Sequence, residues 1–250
     1  MDPALTSTTL PGASIAMIDS AATALPRATG QSIRTVLFDL DGTLADTAPD
    51  LALALNTLLE ESGKDALPYD RIRAEASYGG KALVRLGFDL EPGSSEFKAL
   101  HQRFLELYRN NLCNKTRLFD GMEQVLNDLA KANMNWGIVT NKPAYLTDPL
   151  VGLLGLAGKA AAVVSGDTTS NSKPHPEPLL HACDLAGSRP EQCLYVGDAR
   201  RDIEAGNRAG MKTLAATFGY IREGDDTDSW GADGAIASPA ELMEWIRTHA

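Results

Sequence analysis

Two aspartates one residue apart, Asp39 and Asp41, follow the apolar run Ile33 to Phe38 in Asp39-Leu40-Asp41-Gly42-Thr43. Alternate residues of an extended chain point the same way, so this spacing suggests, although the chain turns here, that both carboxylates approach one small volume. Carboxylates at the end of a buried strand cost free energy unless they are used, and two so close suit a nucleophile beside a proton-transfer group. A second pair, Asp198 and Asp202, stands in Gly197-Asp198-Ala199-Arg200-Arg201-Asp202 after the run Cys193 to Val196. If the two pairs converge, each like-charged couple at ~4 Å costs about 4 kcal/mol at an effective dielectric of ~20. Such a cluster calls for protonation or a divalent cation, and hard oxygen ligands with an open position imply Mg²⁺. Thr140 adds a hydroxyl and Lys173 an ammonium, the latter in the proline-stiffened stretch Ser172-Lys173-Pro174-His175-Pro176. Both donate to the oxygens of a tetrahedral anion. This inventory fits phosphoryl transfer through an aspartyl-phosphate. Serine and cysteine hydrolase chemistry lacks its partners, because no Gly-x-Ser-x-Gly occurs and no cysteine stands in a catalytic setting.

Positioning these groups requires strands that end together. Five short apolar runs, Ile33 to Phe38, Trp136 to Val139, Ala161 to Val164, Cys193 to Val196 and Thr213 to Ala216, each end in polar or glycine residues, with helical patterns between the later ones. Runs apolar on both faces argue for an α/β, doubly wound parallel sheet, whose ligands sit beyond the C-terminal strand ends. Asp39, Asp41, Thr140, Asn141, Asp167 and Asp198 all fall at those ends. Asp167 suits either the site or a cap on the following turn. From about Asp46 to Leu118 the alternation breaks into helices, with Leu51, Leu55, Leu58 and Leu59 on one stripe and Phe97, Leu100, Phe104, Leu107 and Tyr108 on another. We therefore expect a helical cap over 46–118, inserted into a core of 32–45 and 119–250. Thr47 is expected to cap its first helix, with Asp50 three residues on. In the cap, Tyr78-Gly79-Gly80-Lys81 places an amine beside two flexible glycines. Lys81, and Arg85 one turn later, are candidates for a substrate carboxylate.

A net charge of −10 over 250 residues disfavours nucleic acid or an anionic membrane as a partner, and a small anionic substrate needs local cations to override the field. Three cysteines without a CxxC pair suggest a reducing compartment, with cytoplasm the default. Residues 1–31, rich in Ala, Ser and Thr, carry no secretory pattern and read as a disordered extension. His175 and His181 have no cysteine at zinc spacing, so no metal role is expected of them.

Four motifs in order, Asp39-Leu40-Asp41-Gly42-Thr43, Val139-Thr140-Asn141, Lys173-Pro174 and Gly197 to Asp202, resemble the haloacid dehalogenase superfamily. With the helical insert the resemblance covers nearly everything after residue 32. It implies a Rossmann-like core and assigns Asp39 to attack phosphorus and Asp41 to protonate the leaving oxygen and later activate water. Phosphate would be bound by Thr140, Asn141 and Lys173. Mg²⁺ would be held by Asp39, the backbone carbonyl of Asp41 and Asp198, with Asp202 in or near the next shell. An acid at position 41 sets the chain apart from dehalogenases and phosphonoacetaldehyde hydrolases, and Leu40 from ion-pumping ATPases. β-Phosphoglucomutases, phosphotransferases of the superfamily, commonly show valine where Thr43 stands. A non-catalytic relative would usually lack one of the acids.

Within the superfamily, Asp46 to Leu51, Thr140-Asn141-Lys142-Pro143, Gly166-Asp167-Thr168 and Lys173 to Pro176 resemble phosphoglycolate phosphatases. That likeness implies Mg²⁺-dependent hydrolysis of 2-phosphoglycolate in carbohydrate metabolism. Phe119-Asp120-Gly121-Met122, Trp136-Gly137-Ile138-Val139, Gly219-Tyr220-Ile221 and Trp230 to Asp233 are similar to a subgroup acting on N-acetylmuramic acid 6-phosphate in cell-wall recycling.

Overall fold

The computed structural model describes Met1 and residues 32–249; the extension expected over 1–31 lies, Met1 apart, outside the described residues. Its strands are β1 (Thr35–Phe38), β2 (Ala45–Asp46), β3 (Arg117–Leu118), β4 (Asn135–Val139), β5 (Ala162–Val164), β6 (Cys193–Gly197), β7 (Lys212–Ala216) and β8 (Gly234–Ile236). Six of them form a parallel sheet in the order β5-β4-β1-β6-β7-β8. The chain leaves β1 toward one edge and returns to its other side at β6, so the winding reverses beside β1, where doubly wound sheets open a crevice for ligands. β8 has no counterpart among the five expected runs: Gly234-Ala235-Ile236 offers one large apolar side chain and pairs on one side, with β7.

Alternation of side chains across β1 explains the layers. Val36 and Phe38 join the larger core, with Trp136, Ile138, Leu194 and Val196 of neighbouring strands. That face is covered by the helices α5 (Met122–Lys131), α6 (Ala144–Leu153) and α9 (Leu242–His249), through Leu126, Leu150 and Ile246 among others. Leu37 points the other way, into a second cluster with Val139, Tyr195, Leu179 and Ala205. Leu179 belongs to α7 (Glu177–Ala186) and Ala205 to α8 (Arg200–Ala209). With both faces buried, the strands read as continuous apolar runs.

Four helices, α1 (Ala48–Glu61), α2 (Tyr69–Glu75), α3 (Gly79–Phe88) and α4 (Ser95–Asn110), form the inserted cap between β2 and β3. β2 and β3 pair antiparallel, Ala45 with Leu118 and Asp46 with Arg117, so the two connections to the core are zipped together. Leu55, Leu58 and Leu59 of α1 are buried together with Phe97 and Phe104 of α4. Ser94 caps α4 by accepting from the Phe97 N–H at 3.0 Å. Thr47 precedes α1 but makes no side-chain cap. Its hydroxyl goes to Asp41, and the Thr47 and Ala48 N–H groups donate instead to the Tyr220 hydroxyl at 2.6 and 2.8 Å. Asp50 likewise turns away from its own helix start to accept from the backbone of Lys115 and Thr116. Capping is thus done by long-range partners, which no local pattern reports.

Candidate active site

Register sets the site. Phe38 lies opposite Ile138 of β4 and Val196 of β6, so the residues that follow leave the sheet together. The Asp39 N–H donates to the Val196 carbonyl at 2.9 Å and the Thr140 N–H to that of Val164, also at 2.9 Å. Asp39, Thr140 and Asp198 are thereby brought to one end, all buried. Gly42 turns the chain with φ +84°, and a Cβ there would stand 2.0 Å from the Asp198 carboxylate, so glycine is required.

Asp39, Asp198 and Asp202 present oxygens that all lie within 4.8 Å of one another. Lys173, whose side chain is 0% exposed, reaches Asp39 Oδ1 at 3.0 Å and Asp202 Oδ1 at 2.8 Å. It also donates to the Val139 carbonyl and the Tyr195 hydroxyl at 2.9 and 2.7 Å. Asp202 Oδ2 accepts from the Ala199 N–H at 3.0 Å, at the start of α8. Asp198 Oδ2 accepts from the Tyr220 N–H at 2.8 Å and, from the cap, the Ser77 hydroxyl at 2.6 Å. Three buried carboxylates face two cations, the buried Lys173 and the half-buried Arg201, leaving negative charge in excess. The titration behaviour carries the same message. Burial pushes Asp39 up despite the attraction of Lys173, and burial, with Asp39 and Asp202 close by, pushes Asp198 up to about 7. A carboxylate cluster short of positive charge suits a hard divalent cation.

Asp41 lies outside this triad. Its Oδ1 accepts from the Thr47 hydroxyl at 2.5 Å and from Lys142 Nζ at 2.6 Å. The Asn141 side chain donates to the Lys173 carbonyl at 2.9 Å and accepts from the Lys173 N–H at 3.0 Å, bracing that residue's backbone. Asp167 accepts from the Ala144 N–H at 2.8 Å and so caps α6.

Above the strand ends opens a cavity of ≈ 410 Å³ shared by core and cap. Asp39, Asp41, Thr140, Asn141, Lys142 and Arg201 line it from the core, and Ser77, Tyr78, Lys81, His101, Phe104 and Tyr108 from the cap. Lys173 does not line it and reaches it through Asp39. Gly80 allows α3 to approach α4, since a Cβ there would meet the Phe104 ring at 2.9 Å. Lys81 faces the cavity, but Arg85 does not. It pairs with Glu91 at 2.8 Å on the surface, with 61% of its side chain exposed, because helical spacing fixes the face of a helix and not where a long flexible side chain turns.

Three participants escaped sequence reasoning. Lys142 holds Asp41, and its signal was a cation directly after Thr140-Asn141. Arg201 donates to the Ser77 carbonyl at 2.6 Å, its signal being the doubled arginine of the turn. Ser77 carried no signal, since its contact depends on docking the cap. His175, exposed beside Glu177, joins no metal-binding group among the described residues.

Comparison with known proteins agrees with this architecture. A protein of Pseudomonas putida named N-acetylmuramic acid 6-phosphate phosphatase is 42% identical over 214 residues, spanning 86% of this chain and 96% of its own. A Xanthomonas campestris protein named phosphoglycolate phosphatase is 43% identical over 212 residues, 84% of this chain and 95% of its own. The crystal structure of "a predicted phosphoglycolate phosphatase" from Haemophilus somnus superposes with a TM-score of 0.76 at 28% identity, over 85% of this chain and 97% of that one. The profile of the haloacid dehalogenase-like hydrolases matches residues 36–216, which include the strand ends bearing every carboxylate of the site, and the chain belongs to that family.

Proposed function

We propose that this protein is a Mg²⁺-dependent phosphomonoesterase that works through an aspartyl-phosphate on Asp39. The observation that carries the reading is the buried triad of Asp39, Asp198 and Asp202, short of positive charge, under a cavity that also receives Asp41. Asp39, the Asp41 backbone carbonyl and Asp198 would hold Mg²⁺; Asp202, whose two oxygens serve Lys173 and Ala199, would stand behind them. Bound there, the ion neutralises charge on the phosphate. Leu40 N–H and Lys173 both hold Asp39 Oδ1, so Oδ2 is the oxygen we assign to attack. As the Asp39–phosphorus bond forms, the ester P–O bond breaks and its electron pair goes to the leaving oxygen, which takes a proton from Asp41. Water then attacks phosphorus, gives its proton to Asp41 and frees Asp39 with inorganic phosphate. Thr140 donates to the phosphate oxygens, and Lys173 offsets charge on Asp39. The cap excludes bulk water from the cavity.

For substrate we favour N-acetylmuramic acid 6-phosphate. A cavity of ≈ 410 Å³ lies in the ~300–1,000 Å³ range of pockets that enclose drug-sized ligands, and a two-carbon acid would leave most of it empty. Its aromatic walls, Tyr78, Phe104, Tyr108 and Tyr145, suit the apolar face of a sugar ring. The name of the Pseudomonas putida relative supports this reading; that of the Xanthomonas campestris relative supports 2-phosphoglycolate. A cytoplasmic setting fits three cysteines that are all free thiols.

Phosphate release from the two substrates, measured side by side with and without Mg²⁺, tests the proposal. A large kcat/KM preference for the sugar phosphate is expected, and the reverse preference overturns the choice of substrate. Asp39→Asn is expected to abolish turnover in a folded protein. Activity retained in that variant would refute the covalent mechanism.

A further inference from the structure

Lys142 is a lysine buried among groups that the phosphatase reading leaves unexplained. Its side chain is 7% exposed, and its ammonium sits 2.6 Å from Asp41 Oδ1 and 4.9 Å from the centre of the Tyr108 ring. Burial works against its charge, but Asp41 and Tyr108 together hold its pKa well above the ordinary lysine range. Tyr108 comes from α4, in the cap; Lys142 and Asp41 belong to the core. The Tyr108 hydroxyl is buried with no partner in hydrogen-bond geometry among the described residues, while the ring stands against the Lys142 ammonium and borders the cavity.

We propose that Lys142 and Tyr108 are positioning residues that make the alignment of Asp41 depend on the cap. This rests on the role given to Asp41 above. Lys142 and Thr47 both grip Oδ1, which fixes the carboxyl plane and leaves Oδ2 to face the bond being broken. Tyr108 confines the ammonium from the cap side through the attraction between a cation and a ring face. When α4 withdraws, Lys142 loses that wall and Asp41 loses its fixed rotamer. The acid is therefore set only when the cavity is covered, and proton delivery is tied to the exclusion of water. Lys142 differs from Lys173 in this respect, since every partner of Lys173 lies in the core.

The test exploits the leaving group. Departure of an alkoxide needs the proton of Asp41, whereas p-nitrophenolate leaves without one, so kcat/KM for an alkyl phosphate relative to p-nitrophenyl phosphate isolates the acid. Asp41→Asn serves as reference and is expected to lower that ratio by about a hundredfold. Lys142→Met and Tyr108→Leu are expected to lower it by roughly tenfold or more, and Lys142→Arg to recover part of the loss. Damage that is merely structural lowers both substrates alike and leaves the ratio unchanged, so partial misfolding of one variant does not mask the result. A ratio unchanged in both Lys142→Met and Tyr108→Leu, while Asp41→Asn lowers it, overturns the proposal. If Asp41→Asn itself leaves the ratio unchanged, the role of Asp41 falls instead.

Discussion

The two halves of the cavity are built on different principles. Below, Asp39, Lys173, Asp198 and Asp202 are almost wholly buried: Asp39 and Asp202 are each held by an N–H of their own turn, Lys173 by Asp39, Asp202 and Tyr195, and Asp198 by the Tyr220 N–H and Ser77. Above, Lys81 and Tyr78 stand on a helix and a short turn, Ala76–Tyr78, that meet the core through side chains. Ser77 reaches Asp198, Arg201 reaches the Ser77 carbonyl, Arg73 reaches the Phe218 carbonyl, and Arg222 pairs with Glu75 while lying 3.4 Å from the Tyr78 ring centre. The lower half keeps its charges away from water, so each must have a partner in the protein. The upper half is held by contacts that water can replace. Most of the chemistry is therefore placed among buried core groups and recognition on the cap, and the two halves meet where Ser77 reaches Asp198 and Thr47 reaches Asp41.

Breaking the lower half should cost the most. Lys173→Met leaves Asp39 and Asp202 buried without their cation, a change worth about 3–5 kcal/mol and a fall in melting temperature of roughly 10 °C. Calorimetry of the metal-free variant reads it directly. A fall of only a degree or two would mean that the ammonium is not needed to keep those carboxylates in the fold.

The excess negative charge below gives a pH test of the same half. Asp198 is raised in the fold to about 7 from an ordinary 3.8, and Asp39 is raised too. Such groups favour the folded state fully below pH ~4, and that contribution is lost as pH climbs through about 7. Metal-free protein is therefore expected to lose stability from pH 5 to 8 on their account. Mg²⁺ should raise the melting temperature more at pH 8 than at pH 5, as followed by dye fluorescence. Equal shifts at both pH values would contradict the charge excess.

The same contrast decides what could be read from the chain alone. The acids at the strand ends were legible because a short apolar run followed by Asp-x-Asp-Gly has few places to go in a parallel sheet. Asp167 left a choice between the site and a cap on the following turn, and its side chain instead accepts from Ala144 at the start of the preceding α6, 23 residues back. Thr47 meets Tyr220 across 173 residues and Asp50 meets Thr116 across 66, and local pattern assigned Thr47 and Asp50 to helix capping instead. β8 was missed because an edge strand of three residues needs little apolar signal. Ser77 and Arg201 were missed because their contact exists only once the cap sits on the core, and Lys142 because its partner Asp41 lies 101 residues away.

Loosening the upper half should act on binding before stability. Arg222→Ala removes the ion pair with Glu75 and the stack on Tyr78, both partly exposed, for about 1–2 kcal/mol in total. Spent on the closed form, this is a rise in KM of about tenfold with a melting temperature within a few degrees of the parent. A large melting shift with unchanged KM would instead make the latch part of the buried half.

The smallest effect separates two cations that helical spacing treats as equivalent. Among the described residues, Lys81 is the one lysine or arginine that the cap contributes to the lining of the cavity. Lys81→Ala is expected to raise KM roughly tenfold for a phosphate ester bearing a carboxylate and to leave p-nitrophenyl phosphate within about twofold, since the latter has no carboxylate to lose. Arg85 sits one turn on, but it has turned to Glu91 and is largely in water, where such a pair is worth at most about 1 kcal/mol. Arg85→Ala is accordingly expected to leave both substrates within about twofold. If Arg85→Ala raised KM for the carboxylate substrate as much as Lys81→Ala, the Arg85–Glu91 pair would have to open during binding. Selection by the cap would then extend beyond the cavity into the groove where Lys81, Arg85 and Arg222 meet.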